Sequence, residues 1–217
     1  MKQYVHSYTA LKMHMQCPAL FHAKYIARTA KQETSPAMDR GNRIHADLER
    51  AIKQPGTAPP SEPYWTPPGL TDLLHAAGAQ AEIGMGVDAN GASCDPFAPD
   101  VLLRGWMDVR AEDANGTLIC DWKTGKYRPD MLQADVYATL ERAKHGRDDY
   151  PVTFTWIYVD ERRIHPTRPD RYAADRVYDA MDRIERDQEY RPTQNFGCRW
   201  CPVAQCKFNQ FNRSNKQ

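Results

Sequence analysis

Neither sign of charge dominates this chain: 29 lysines and arginines stand against 28 aspartates and glutamates, a net of +1. Without a global field the chain has no long-range claim on a polyanion, so any nucleic-acid contact must come from a local patch. Long hydrophobic runs are also missing. No stretch is long enough to cross a bilayer, and Met1-Lys2-Gln3-Tyr4-Val5-His6 lacks the apolar core of a signal peptide. An intracellular, cytoplasmic protein is therefore expected. In that compartment the six cysteines are expected to be reduced or metal-bound rather than paired. Internal repeats and low-complexity tracts are absent too, which excludes solenoids and arrays. What is present is ordinary: 217 residues, 41% of them hydrophobic, enough for one domain with a proper core.

The apolar pattern lays out the elements. Ser7 reads as a helix cap ahead of Leu11, Met15, Leu20, Phe21 and Tyr25, with Cys17-Pro18 breaking the run into two short helices. A second amphipathic helix, about Met38 to Ile52, carries Ile44, Leu48 and Ile52 on one stripe and His45 beside it. Gln54 to Gly69 holds six prolines and two glycines and reads as a surface loop. A short helix (Leu70 to Ala77), a strand containing Glu82 (Ala79 to Val87) and a turn-rich stretch (Asn90 to Pro99) follow. Later come a helix from Asp130 to about Lys144 and a strand over Pro151–Val159 apolar on both faces. A charged helix then runs from Asp170 to about Glu189 with Tyr172, Val177, Met181 and Ile184 inward.

Between these lies the stretch that gives the chain its chemistry. Asn115-Gly116 separates two apolar runs, the strongest short-range hairpin signal. With those two residues as the turn, Ala114 faces Thr117, Asp108 faces Lys123 and Arg110 faces Asp121. Alternation then gathers Asp108, Asp121 and Lys123 on one face, two carboxylates and an ammonium that a divalent cation can use. The plainer reading is an exposed cross-strand salt bridge, worth little.

Other candidates carry two readings each. His45 is either a helix histidine or a metal ligand, and Glu82 either a further site carboxylate or a polar residue on a strand edge. Gln133 follows Asp130 by three residues, a capping-box spacing, yet shares a helix face with Tyr137. Lys126, Tyr127 and Arg128 place an aromatic among cations, a stacking platform for unpaired bases, while Arg162, Arg163, Arg168 and Arg171 form a second basic stretch. Cys198-x-x-Cys201 with Cys206, joined by Cys17, supplies four thiolates that suit zinc or a 4Fe-4S cluster equally on spacing.

In this order the motifs resemble a family. Asp108, Asp121-x-Lys123 and Gln133-x-x-x-Tyr137, preceded by Gly41-x-x-x-His45, are similar to the PD-(D/E)XK nuclease core in its RecB-like form. With Cys17, Cys198, Cys201 and Cys206 added, the chain resembles iron–sulfur nucleases such as the CRISPR-adaptation exonucleases and the AddB-type nuclease subunit. It departs in having Met107 where the family name has proline and four residues in its last cysteine gap where many relatives have five. The resemblance implies an α/β, restriction-endonuclease-like fold: a mixed central sheet flanked by helices, with a C-terminal four-cysteine segment clamped by metal to the N-terminal helix. One nuclease domain over 1–217 is expected, with its core at about 38–190 and cluster elements at 7–28 and 195–210. It further implies Mg²⁺ or Mn²⁺ on His45, Asp108, Asp121 and Glu82, catalytic roles for Lys123, Gln133 and Tyr137, and 4Fe-4S in preference to Zn²⁺ on the cysteines. The implied activity is exonucleolytic cleavage of single-stranded DNA ends in recombination, repair or CRISPR spacer processing, in a prokaryotic cell or phage-infected host. A helicase, recombinase or CRISPR-adaptation partner and a homo-oligomer are compatible with it. The alternative from another class is a nucleic-acid- or partner-binding protein on this fold with little catalysis.

Overall fold

The computed structural model describes residues 4–30, 35–54, 56 and 60–209. Its contacts gather into two compact units, Met1–Val5 with Ser35–Val177, and His6–Thr34 with Tyr178–Gln217.

The first unit is built on a mixed sheet. Helix α3 (Pro36–Lys53), which follows α1 (Tyr8–Gln16) and α2 (Pro18–Phe21) of the second unit in the chain, starts where Ser35 accepts from the Met38 amide and Pro36 presets the first turn. After α4 (Leu70–Ala76) come β1 (Gln80–Asp88), β2 (Ser93–Cys94), β3 (Val101–Asp113) and β4 (Gly116–Lys123). Helix α5 (Met131–His145), β5 (Val152–Tyr158), β6 (Arg163–Thr167) and α6 (Ala173–Arg186) follow, the last ending in the second unit. The strand order is β2-β1-β3-β4-β5-β6, antiparallel except where β4 runs parallel to β5. A parallel pair needs a long crossover, and α5 supplies it.

Both faces of this sheet are covered. Ile44, Leu48 and Ile52 of α3 and Leu74 of α4 pack on Val109, Cys120, Trp122 and Ile157. On the opposite face Tyr137 of α5 stacks on Phe154, with ring centroids 5.6 Å apart. Ten consecutive α5 residues, Gln133 to Arg142, are buried, because a crossover helix against a sheet has little face left for solvent. The expected α/β class with a mixed sheet between helices is what the chain adopts.

The hairpin register departs from expectation. Observed pairs are Val109↔Cys120, Arg110↔Ile119, Ala111↔Leu118, Glu112↔Thr117 and Asp113↔Gly116, so Ala114 and Asn115 make the turn. The Asp113 carboxylate accepts from the Asn115 amide at 2.8 Å and closes the turn itself. Gly116 is used for something else. Its φ is +132°, and a Cβ there would stand 2.3 Å from the Pro151 carbonyl, so only glycine lets β5 start alongside. The slip is two residues, which leaves every side chain on its expected face.

Three smaller expectations also change. Strand β6 lies within the second basic stretch; Pro166 conceals it, yet an edge strand tolerates proline. Tyr172 is half exposed rather than inward, because α6 begins one residue later. Of the proline-rich loop, residues 55 and 57–59 lie outside the described residues; the rest is anchored, with Tyr64 and Trp65 packed on the α3–α4 core.

The second unit has its own packing. Ser7 caps α1 (Tyr8–Gln16) through the Ala10 amide, and α2 (Pro18–Phe21) leads into one π-helical turn, His22–Ile26. Phe21 is fully buried and stacks on Tyr190, while His14 Nε2 meets Asp187 at 2.9 Å. A 3₁₀ turn, Phe196–Trp200, follows. Among the described residues no helix is long and apolar enough to cross a membrane.

Candidate active site

The site forms where β3 and β4 part. Their last pair is Val109↔Cys120; beyond it Asp121, Trp122 and Lys123 pair only with β5. Asp108 fills the gap with its side chain, Oδ2 accepting from the Trp122 amide at 2.8 Å. Opposite, β1 pairs Ala81 with Val109 and Ile83 with Met107, and between them Glu82 takes a left-handed φ of +55°. For a non-glycine residue in mid-strand that costs on the order of 1–3 kcal/mol. The kink brings Glu82 to Asp108. With His45 they form a set whose ligand atoms all lie within 4.8 Å of one another.

Helix α3 closes the site from above. His45 Nδ1 lies 3.3 Å from Asp108 Oδ2. Gly41, one turn earlier, sits so close to β4 that a Cβ would meet Thr124 Oγ1 at 3.0 Å, which is why the helix carries glycine there. The resulting open cleft, about 670 Å³, is lined by Gly41, His45, Glu49, Glu82, Asp108 and Thr124.

Asp121 lies deeper. It is 5% exposed, and Oδ1 accepts from Gln133 Nε2 at 2.6 Å. Its Oδ2 forms an ion pair with Lys123 Nζ at 2.6 Å. Burial pushes this carboxyl up to about 6, with Lys123 opposing and Asp108 adding. Burial, then Asp108 and Glu49, likewise raise Glu82. Burial works against a charged His45, but Asp108 and then Asp121 leave the imidazole above its ordinary value. Glu82 and Asp121, raised by burial and crowding, form with Asp108 and His45 a donor set suited to a hard cation.

Of the expected residues, the structure therefore joins His45, Glu82 and Asp108 directly and couples Asp121 with Lys123 beside them. Gln133 does not serve as a capping-box partner: Asp130 caps α5 through Leu132, while Gln133 Oε1 accepts from Trp156 Nε1 at 3.0 Å. Tyr137 donates to the Trp106 carbonyl at 2.6 Å rather than contacting Lys123. Lys126 and Arg128 are exposed, but Tyr127 is engaged on both sides, by His165 Nδ1 at 2.6 Å and by the Arg163 guanidinium 4.2 Å from its ring centre. Arg163 thus links the two basic stretches.

Sequence reasoning overlooked three supports. Trp156 anchors Gln133; its place in an apolar strand hid a polar duty. Arg40 grips Asp160 and Glu62, and Asp160 accepts from the Gly125 amide at 2.8 Å, fixing the loop after Lys123. The only signal was a charged residue in the first turns of α3.

In the second unit, Cys17 caps α1, and Cys198 accepts from the Asn195 amide at 3.3 Å. Burial raises the Cys201 thiol, with Cys206, Cys17 and Cys198 adding, so all four lie within electrostatic reach. Cys120 is a core residue pushed up to about 12, and Cys94 lies apart in β2.

The sequence profile of the PD-(D/E)XK nuclease superfamily matches residues 6–83 and 68–206. The chain belongs to that superfamily. No curated protein matches the chain. Twenty-three chains of solved structures do, among them one titled "Crystal structure of SSO0001", 18% identical, with a TM-score of 0.53 over 95% of this chain and 87% of the other. At that identity the likeness is one of fold. Membership of the superfamily implies a nuclease.

Proposed function

We propose that this PD-(D/E)XK protein is a Mg²⁺- or Mn²⁺-dependent deoxyribonuclease acting exonucleolytically on single-stranded ends. The observation that carries it is the convergence of Glu82, Asp108 and His45 beside the Asp121–Lys123 pair. His45, Glu82, Asp108 and Asp121 would hold the cation; imidazole favours Mn²⁺ over Mg²⁺. A bound cation lowers the pKa of a water ligand and offsets charge on a phosphoryl oxygen. Lys123, held against Asp121, orients the attacking water, accepts its proton or neutralises charge in the transition state. Gln133 keeps the Asp121 carboxylate aimed, and Tyr137 fixes the β3 backbone two residues before Asp108. Lys126, Arg128 and Arg163 offer the phosphate contacts.

For the four cysteines we favour 4Fe-4S over zinc. The resemblance to iron–sulfur nucleases supports it. Service in recombination, repair or CRISPR spacer processing, alongside a helicase, recombinase or CRISPR-adaptation partner, is supported by the same resemblance.

The test is digestion of end-labelled, end-blocked and circular DNA, single- and double-stranded, with each metal. Loss of linear single strands and survival of circles is expected. Lys123→Ala and Asp121→Ala should lower cleavage by at least 10²-fold, the scale of one lost acid–base or electrostatic group, while binding persists. Equal residual cleavage in both variants and wild type would leave a binding protein.

A further inference from the structure

Two residues along β3 from Asp108 the sheet carries an aromatic cluster that the catalytic reading does not use. Trp106 is 37% exposed and Phe97 is 72% exposed, with ring centroids 5.5 Å apart and planes at 57°. The Arg104 guanidinium lies 5.5 Å from one ring centre and 5.8 Å from the other. Such rings are costly to leave in water unless a ligand covers them.

The cluster is held in place. Trp106 lies over Gly84 of β1, where a Cβ would stand 2.8 Å from its Nε1 and 3.0 Å from Pro96 Cγ. Phe97 is set by a turn in which Asp95 Oδ1 accepts its amide at 2.7 Å, and Arg104 donates to the Pro96 carbonyl. Trp106 and Asp108 share the β3 face turned away from α5: Gly105, just before Trp106 and on the alternate face, meets Tyr137 of α5, while Asp108 meets His45 of α3. Two residues of strand cover about 7 Å, a short step from the carboxylates to the rings.

We propose that Phe97, Trp106 and Arg104 form a stacking subsite for an unpaired nucleobase of the strand whose backbone reaches the Glu82–Asp108 cleft. This rests on the nuclease reading and names its substrate class: single-stranded nucleic acid, engaged through base faces. Aromatic faces accept any base, and the guanidinium adds cation–π attraction and a phosphate contact. A paired base, buried in its stack, has no free face to offer.

The experiment compares binding of a labelled oligothymidylate and its abasic counterpart, in Ca²⁺ so that the strand is not cut. Stacking is worth about 1–3 kcal/mol per base, so wild type should prefer the base-bearing strand by about 5- to 150-fold. Phe97→Ala, at an exposed position that tolerates truncation, and Trp106→Ala should shrink that preference at least fivefold, and Phe97→Tyr should restore it. An oligouridylate arm separates DNA from RNA. A preference unchanged in Phe97→Ala, or no preference in wild type, overturns the subsite. Wild type that binds with the preference but leaves both strands intact in Mn²⁺ overturns the nuclease reading while upholding the subsite.

Discussion

Glu82 shows best how a single residue is held for chemistry. Its left-handed backbone in the middle of β1 and its crowding by Asp108 and Glu49 both oppose the fold. Replacing it with glycine removes the steric strain and one of the clustered acids. Glu82→Gly should raise the metal-free stability by about 1 kcal/mol and weaken Mn²⁺ binding at least tenfold, read by thermal melts with and without Mn²⁺. A melting temperature that falls would show the carboxylate serves the fold instead. Gln133 is the converse case. It is buried between Asp121 and Trp156 and satisfies both. Gln133→Leu leaves two buried polar groups unpaired and should cost about 1–3 kcal/mol in denaturant unfolding.

Elements are joined by charge as well as by apolar packing. Arg110 on β3 donates to Glu141 of α5 and to Glu112, which Lys144 of α5 also reaches at 3.3 Å. The hydrogen bond from Arg110, partly offset by desolvation, holds the Glu112 carboxyl at about 2, below its ordinary 4.5. The sign follows. A depressed acid stabilises the fold above its unfolded value, and that contribution drains away as pH falls from about 4.5 towards 2. Melting temperature measured across that window should drop in wild type and drop less in Glu112→Gln, with the two curves parallel above pH 5. Curves parallel throughout would mean the β3–α5 tie is not linked to this proton.

At the scale of the molecule, the two units have separate cores, one around the sheet and one around Phe21 and Tyr190. A metal-thiolate cluster contributes its binding free energy to the segment it ties together. Cys198→Ser should therefore bleach the visible absorption expected of the purified protein. In hydrogen exchange it should deprotect Tyr8–Phe21 and Phe196–Trp200 while the β3–β5 amides keep their protection. Uniform loss across both units would show one cooperative body.

Much of this was written in local pattern. The 3.6-residue apolar stripe made α3 and α5 visible, and the Ser7 cap marked where α1 starts, whereas the Ser35 cap that starts α3 before Met38 went unread. The two-sided apolar run over Val152–Tyr158 announced a strand with neighbours on either side. The acidic residues and Lys123 were legible for the same reason: alternation fixes faces along each strand, and a cross-strand slip of two residues, being even, leaves those faces unchanged. Other features depended on groups distant in sequence. Gly116 left the turn because Pro151 needs the space, Gln133 left the cap because Asp121 and Trp156 are better partners, and Glu82 joined Asp108 through a backbone kink that no periodicity encodes. Local pattern settles direction and face, since these follow from backbone geometry within a few residues; which buried groups satisfy one another is settled only when the chain has packed, because desolvation assigns those partners in space.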